Sequence, residues 1–224
     1  MPATTHSVYL LDDHPLLLSG LRSVIDQEDD LKVCGELQQG KGAAEVIAKE
    51  DPSVVVLDLE LQDSTGMEVL KDLRARGFRR PVLILSMHDE KNYATRAIRN
   101  GANGYIMKQE ASDRLVDGIR KVIAGDIFLS DPMREQVVRV FARGETPRST
   151  QDQVEGLTDR EFEIFELMGK GLSTKKISAR LAIAEKTVAS HRRAIKDKLG
   201  IDDMSALIQH AVEWLKSREG NEFR

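Results

Sequence analysis

The sequence has a single cysteine, Cys34, among its 224 residues. A lone thiol excludes an internal disulfide and a cysteine-built zinc centre, and it agrees with a reducing compartment. In the strand-like stretch "KVCGEL" it is expected to be a small buried hydrophobe. No window comes near the roughly 18 consecutive apolar residues that a spanning helix needs, so no membrane partner is expected. The N-terminal stretch "MPATTHSVYLLDDH" meets acids early and has no basic flank, unlike a secretory signal. The expected location is therefore cytoplasmic. Internal repeats and low-complexity tracts are missing too, which leaves an ordinary globular chain.

What is present fits that class. An apolar share of 41% beside 31% charged residues is that of a soluble protein with one large or two ordinary domains. The net charge of −4 hides an asymmetry: residues 1–125 hold 16 Lys+Arg against 20 Asp+Glu, whereas residues 170–198 hold 9 against 2. A concentrated basic segment behind an acidic part points to nucleic acid, although a solvated basic helix face has the same composition.

Periodicity supplies the architecture. Short apolar runs at "VYLL", "LKVCGEL", "VVVL", "VLIL" and "GYIM" alternate with helically spaced segments at 15–27, 41–49, 66–76, 91–100 and 112–124. Five strand–helix units predict an α/β fold with a doubly wound parallel sheet. The unbroken apolar character of "VVVL" and "VLIL" predicts strands covered on both faces, and Pro15 suits a first helical turn. Beyond 125, "DPMREQVVRVFA" reads as one more helix over 131–142, and "RGETPRSTQDQVEG" as a polar linker. The rest is all-α, with helices near 158–169, 174–181, 185–199 and 203–217. The expected division is 1–125, a linker 126–153, a helical domain 154–219 and a tail 220–224.

Ligands of such a sheet bind beyond the carboxyl ends of its strands. Those ends carry Asp12 and Asp13, Asp58, Ser86 and Lys108. Three converging carboxylates raise one another's pKa unless a cation sits among them, and an all-oxygen donor set favours Mg2+. The chemistry this predicts is phosphoryl transfer to a carboxylate, with Ser86 and Lys108 contacting phosphoryl oxygens. Taken singly, Asp12 and Asp13 would also serve as helix caps, and Ser86 and Lys108 as ordinary loop residues.

These stretches, "LLDDHP", "VVLDLEL" with "STGMEVL", "ILSMHD" and "GANGYIMKQEA", resemble the receiver domain of bacterial two-component response regulators over about residues 7–124. The resemblance implies a flavodoxin/CheY-like fold in which Asp58 is the phosphoacceptor. It also implies that Asp12, Asp13, Asp58 and the backbone carbonyl of Glu60 hold Mg2+ and that Lys108 pairs with the phosphoryl group. Ser86 and Tyr105 take the switch positions.

In "LTDREFEIFELMGKGLSTKKISARLAIAEKTVASHRRAIKDKLGI" a helix ends at a glycine, a Ser-Thr pair caps the next, and a turn leads into a basic helix. Helical spacing puts Val188, His191, Ile195 and Leu199 on the inward side, and Lys186, Ala189, Ser190, Arg193 and Lys196 or Asp197 on the outward one. The stretch resembles the LuxR-type helix-turn-helix of NarL-type response regulators over about residues 154–219. This implies that Ala189, Ser190 and Arg193 face base edges of double-stranded DNA, and Lys186, Thr187, Arg192 and Lys196 its phosphates. His191 is expected to pack inward. In the last helix Leu207, Ala211, Val212 and Leu215 are candidate contacts between DNA-bound copies, with intradomain core as the alternative, an equal one at least for Leu207 and Ala211; a homodimer is expected when the protein is phosphorylated or DNA-bound. The implied partners are a sensor histidine kinase, operator DNA and RNA polymerase. The function implied is transcriptional regulation by phosphorylation, not enzymatic turnover. Two other functions fit parts of the pattern: a receiver used only for docking, and an aspartate-nucleophile phosphatase, which "DLE" in place of Asp-x-Asp disfavours.

Overall fold

The computed structural model describes residues 5–135 except Asp89, then Val137 and Val154, and 156–219 except Ala182. They form two compact units divided after Arg139. Most of the expected linker, and the expected helix beyond 137, lie outside the described residues, as does the tail 220–224.

The first unit is a sheet of five parallel strands: β1 (His6–Leu11), β2 (Leu31–Leu37), β3 (Val54–Leu57), β4 (Val82–Ser86) and β5 (Gly104–Met107), in the order β2-β1-β3-β4-β5. The helices α1 (Pro15–Ile25), α2 (Ala43–Glu50), α3 (Gly66–Ala75), α4 (Glu90–Arg99) and α5 (Ala111–Ile123) connect and cover them. β3 and β4 are buried at every position, as expected of strands clothed on both faces. Pro15 opens α1, where no N–H is needed. Val8, Leu10, Val54, Val56, Leu83 and Leu85 pack with Leu18, Leu115 and Ile119 of α1 and α5 in one apolar layer.

Cys34 departs from expectation, because it is exposed. β2 is an edge strand with one covered face, so Leu31 and Val33 turn inward while Lys32 and Cys34 turn out. The segment that follows α5 is not detached from the sheet. The Tyr105 N–H donates to the Phe128 carbonyl at 2.8 Å, the Phe128 N–H donates to the Asn103 carbonyl at 3.0 Å, and Phe128, Leu129 and Met133 are buried.

The second unit holds α6 (Asp159–Gly169), α7 (Thr174–Arg180), α8 (Glu185–Lys198) and α9 (Met204–Glu219). α6 starts at a capping box: Thr158 Oγ1 accepts from the Glu161 N–H and Glu161 Oε2 accepts from the Thr158 N–H. It ends just before Gly171, whose φ of 78° is left-handed and suits glycine. Phe162 and Phe165 of α6 meet the Trp214 ring of α9 edge-on, with centroids 5.4 and 5.8 Å apart. Ile177, Val188, Ile195 and Leu207 fill the space between the helices. Leu207, Ala211 and Leu215 are all buried within this unit. The alternative of intradomain core therefore holds for these residues, and the dimer-contact expectation for Leu215 is corrected.

Lys198 of α8 donates to Glu161 Oε2 at 2.6 Å, tying the start of α6 to the end of α8. Burial raises the Glu161 carboxyl, but the Lys198 ammonium and Thr158 groups outweigh it and hold the carboxyl below its ordinary range. A depressed carboxyl stabilises the fold above its unfolded pKa of about 4.3 and loses that stabilisation as pH falls through the folded value. Glu161→Gln is expected to cost about 1–2 kcal/mol at neutral pH. Its unfolding midpoint should fall less steeply than the wild-type one between about pH 5 and 3. Trp214, the chain's only tryptophan, reports this unit's unfolding by fluorescence. Parallel pH profiles would remove Glu161 from this role.

Candidate phosphoacceptor site and nucleic-acid interface

The strand ends of the first unit deliver its site. β1 runs into Asp12, β3 into Asp58, β4 ends on Ser86, and Lys108 follows β5. Asp12 and Asp58 are 2% and 1% exposed. Lys108 Nζ lies 2.7 Å from Asp12 Oδ2 and 2.8 Å from Asp58 Oδ2, bridging the first and third strands from the fifth. Burial pushes the Asp58 carboxyl up to about 7; the Lys108 ammonium lowers it, the Asp12 charge raises it, and the Glu60 N–H lowers it. Burial opposes the charge on Lys108 as well, yet the facing Asp58 and Asp12 carboxylates win and raise its pKa.

The site has unmet acceptor capacity. Asp58 Oδ1 is buried without a hydrogen-bond partner among the described residues, and such an atom is costly unless something else engages it. One donor atom from each of Asp12, Asp13, His14 and Asp58 lies within 4.8 Å of the others. That donor set fits a divalent cation.

Beside the acids lies a second arrangement. Ser86 Oγ accepts from the His88 N–H at 3.1 Å, and the Tyr105 hydroxyl donates to the His88 carbonyl at 2.8 Å. Both residues expected at switch positions thus grip the main chain of one residue. The His88 ring stacks on Tyr93 at 4.2 Å, and its Nε2 lies 2.9 Å from Glu60 Oε1. The sequence pattern marks neither His14 nor the His88–Glu60 pair, although the histidines stand inside "LLDDHP" and "ILSMHD".

In the second unit α8 follows α7 after a short turn. Arg160 holds that turn by donating to the Leu181 carbonyl at 2.9 Å, and the Ser178 hydroxyl by donating to that of Ile183 at 2.6 Å. Val188, Ile195 and Leu199 are buried, as the spacing predicts, and His191 is half-buried. Lys186, Thr187, Ala189, Ser190 and Arg193 are exposed, whereas Arg192 and Lys196 are half-buried. Arg192 donates to Thr174 Oγ1 at the start of α7, a partner that the sequence did not indicate. Thr174, Ala189, Arg192, Arg193, Lys196 and Met204 line an open cleft of about 310 Å³. Arg193 makes no ion pair among the described residues, so its guanidinium is available to a ligand. No helix of the described residues is long and apolar enough to cross a membrane.

Two family models match the chain: response regulator receiver domain over residues 8–120, and bacterial regulatory proteins, luxR family, over 155–211. The chain is 33% identical over 195 residues to a nitrate/nitrite response regulator protein homolog of Haemophilus influenzae, covering 87% of this chain and 90% of that one. It is 30% identical over 198 residues to the nitrate/nitrite response regulator protein NarL of Escherichia coli, with 88% and 89% covered. Among solved structures it is similar to the response regulator ChrA of a heme-sensing two-component system, at 30% identity and a TM-score of 0.50, covering 94% of this chain and 98% of that one.

Proposed function

The chain belongs to the response regulators that join a receiver domain to a luxR-family regulatory domain, and from this premise we propose that Asp58 is its phosphoacceptor and α8 its DNA-reading helix. It is a phosphorylation-regulated, DNA-binding transcriptional regulator, not an enzyme beyond phosphoryl acceptance. The bridge of Lys108 Nζ between Asp12 and Asp58, with Asp58 Oδ1 left open, is the observation that carries the residue roles. In this reading residues 1–125 are the receiver, 126–153 the linker, begun by a segment packed on the receiver, 154–219 the DNA-binding domain and 220–224 a tail.

The donor is a phosphohistidine of a sensor kinase. An Asp58 carboxylate oxygen forms the new O–P bond as the donor's P–N bond breaks, and the electron pair leaves with the imidazole nitrogen. Asp12, Asp13, Asp58 and the Glu60 carbonyl would hold Mg2+, which when bound supplies charge that neutralises phosphoryl oxygens. Lys108 gives up Asp58 Oδ2 to pair with a phosphoryl oxygen, and Ser86 Oγ turns from the His88 N–H to another. With that grip on His88 altered, Tyr105 repacks, and the receiver shifts between two packings. The consequence is homodimerisation and DNA binding in the cytoplasm, with RNA polymerase as the final partner.

Footprinting before and after treatment with a small acyl phosphate tests this, with protection expected at lower protein concentration after treatment. Arg193→Ala should cost about 1–3 kcal/mol on the operator and relax one base position, while Lys196→Ala should weaken all sequences alike and flatten the salt slope by about one. Equal losses for Arg193→Ala on operator and random DNA would remove its base-reading role.

A further inference from the structure

His14 has a place in the cation site that the family resemblance did not give it. It is the N-cap of α1, a position favouring Ser, Thr, Asp or Asn because a side-chain oxygen there caps the helix. The imidazole makes no capping bond. Its Nδ1 instead lies 3.0 Å from Asp12 Oδ1 and 2.7 Å from Asp13 Oδ1. The backbone that presents the ring is constrained: the His14 N–H donates to Asp12 Oδ1 at 2.9 Å, and Pro15 behind it favours the extended conformation observed, φ −100° and ψ 102°.

Lys108 ion-pairs with Oδ2 of both Asp12 and Asp58 and the His14 N–H engages Asp12 Oδ1, so among the described residues the oxygen of the buried pair left without an ion pair or a side-chain hydrogen bond is Asp58 Oδ1. The donors of Asp12, Asp13, His14 and Asp58 all fall within 4.8 Å of one another. Opposite ligands of a single ion stand about 4.0–4.6 Å apart at ordinary bond lengths, so a small adjustment brings all of them onto one cation. Three carboxylates and one ammonium leave the formal charge that a dication neutralises.

We propose that His14 Nδ1 is a direct ligand of this cation, so that the site takes later transition-metal dications such as Co2+ more tightly than Mg2+. The chemical ground is donor type: Mg2+ selects oxygen ligands and keeps its water, whereas imidazole nitrogen adds affinity for the later divalent metals. The inference rests on the carboxylate site proposed above, and the test separates the two.

The full-length, unphosphorylated protein is loaded with Mn2+ alone and studied by pulsed EPR. Mg2+ and Co2+ affinities are measured by calorimetry for the wild type, His14→Ala and Asp58→Ala. The expected results are 14N modulation from a bound imidazole in the wild type, its disappearance in His14→Ala, and a Co2+ Kd raised at least about tenfold while the Mg2+ Kd moves less than about threefold. Mn2+ that binds and is lost in Asp58→Ala, yet shows no 14N modulation, overturns the inference and leaves the carboxylate site standing. Equal loss of Co2+ and Mg2+ in His14→Ala also overturns it. If Asp58→Ala binds Mn2+ like the wild type, the carboxylate site is wrong and His14 falls with it.

Discussion

Asp58→Asn is expected to abolish the acyl-phosphate label, to below about 1% of the wild-type stoichiometry, without unfolding the protein. The amide keeps the shape of the side chain but has no anionic oxygen to attack phosphorus. Its neighbours are poor substitutes: Asp12 is engaged at both oxygens, by Lys108 at 2.7 Å and by the His14 N–H at 2.9 Å, and Asp13 faces His14. Burial pushes the Asp58 carboxyl up to about 7, so the folded state is strained by ionising it, and a neutral side chain of equal volume relieves that strain. The melting temperature in chelator should therefore be no lower than the wild type's. Divalent cation should separate the two proteins in the opposite sense. A ligand at 100 times its Kd stabilises the form that binds it by about 2.7 kcal/mol, and Asp58→Asn should lose most of that gain. The phosphorylation-dependent rise in DNA affinity should vanish with the label. If promoter output under phosphorylating conditions were the same for both proteins, the receiver would be a docking module. Repeated turnover of a phosphomonoester, in place of one label per chain, would reinstate the phosphatase.

What could be read from sequence follows from burial. β3 and β4 are covered on both faces, so "VVVL" and "VLIL" had to be apolar at every position, and the pattern betrays them. The exposure of Cys34 is not legible in this way, because an apolar-looking stretch on an edge strand shows one face to water, and edge position is a property of strand order, not of composition. Leu215 was ambiguous for a related reason: a helical apolar stripe does not say whether its partner lies in the same chain, and here α6 is that partner. Lys108 and Asp58 are 50 positions apart and meet at 2.8 Å; only the rule that parallel strands present their carboxyl ends together made that meeting foreseeable. No such rule reaches the His88–Glu60 pair or the bond from Arg192 to Thr174, which depend on rotamers and on how α8 lies against α7.

Gly66 is the other residue whose role only the fold discloses, and Gly66→Ala is expected to be nearly as damaging to phosphorylation as loss of Asp58 itself. Gly66 is the first residue of α3, and its N–H donates to the Leu59 carbonyl at 2.9 Å, closing the loop that leaves β3. A Cβ at this position would stand 2.0 Å from the Asp58 carbonyl oxygen and 2.9 Å from Leu59 Cα. Both obstacles are backbone, so no rotamer change relieves the clash. Alanine favours a helix over glycine by about 1 kcal/mol, but overpacking of this kind costs about 1–3 kcal/mol or more, so the helix preference does not win. The loop has little room to retreat, since Thr65 and Glu68 lock it in a capping box and Glu60 bridges Thr65. The displaced element is then the Asp58 backbone, which aims the nucleophile at phosphorus. A misplacement of about 1 Å at a reacting group costs on the order of a hundredfold in rate. The initial rate of labelling by a small acyl phosphate should fall by about that factor, with the melting temperature lowered and DNA binding by the second unit unchanged in the absence of phosphodonor. Wild-type labelling kinetics in Gly66→Ala would show that the loop yields without moving Asp58.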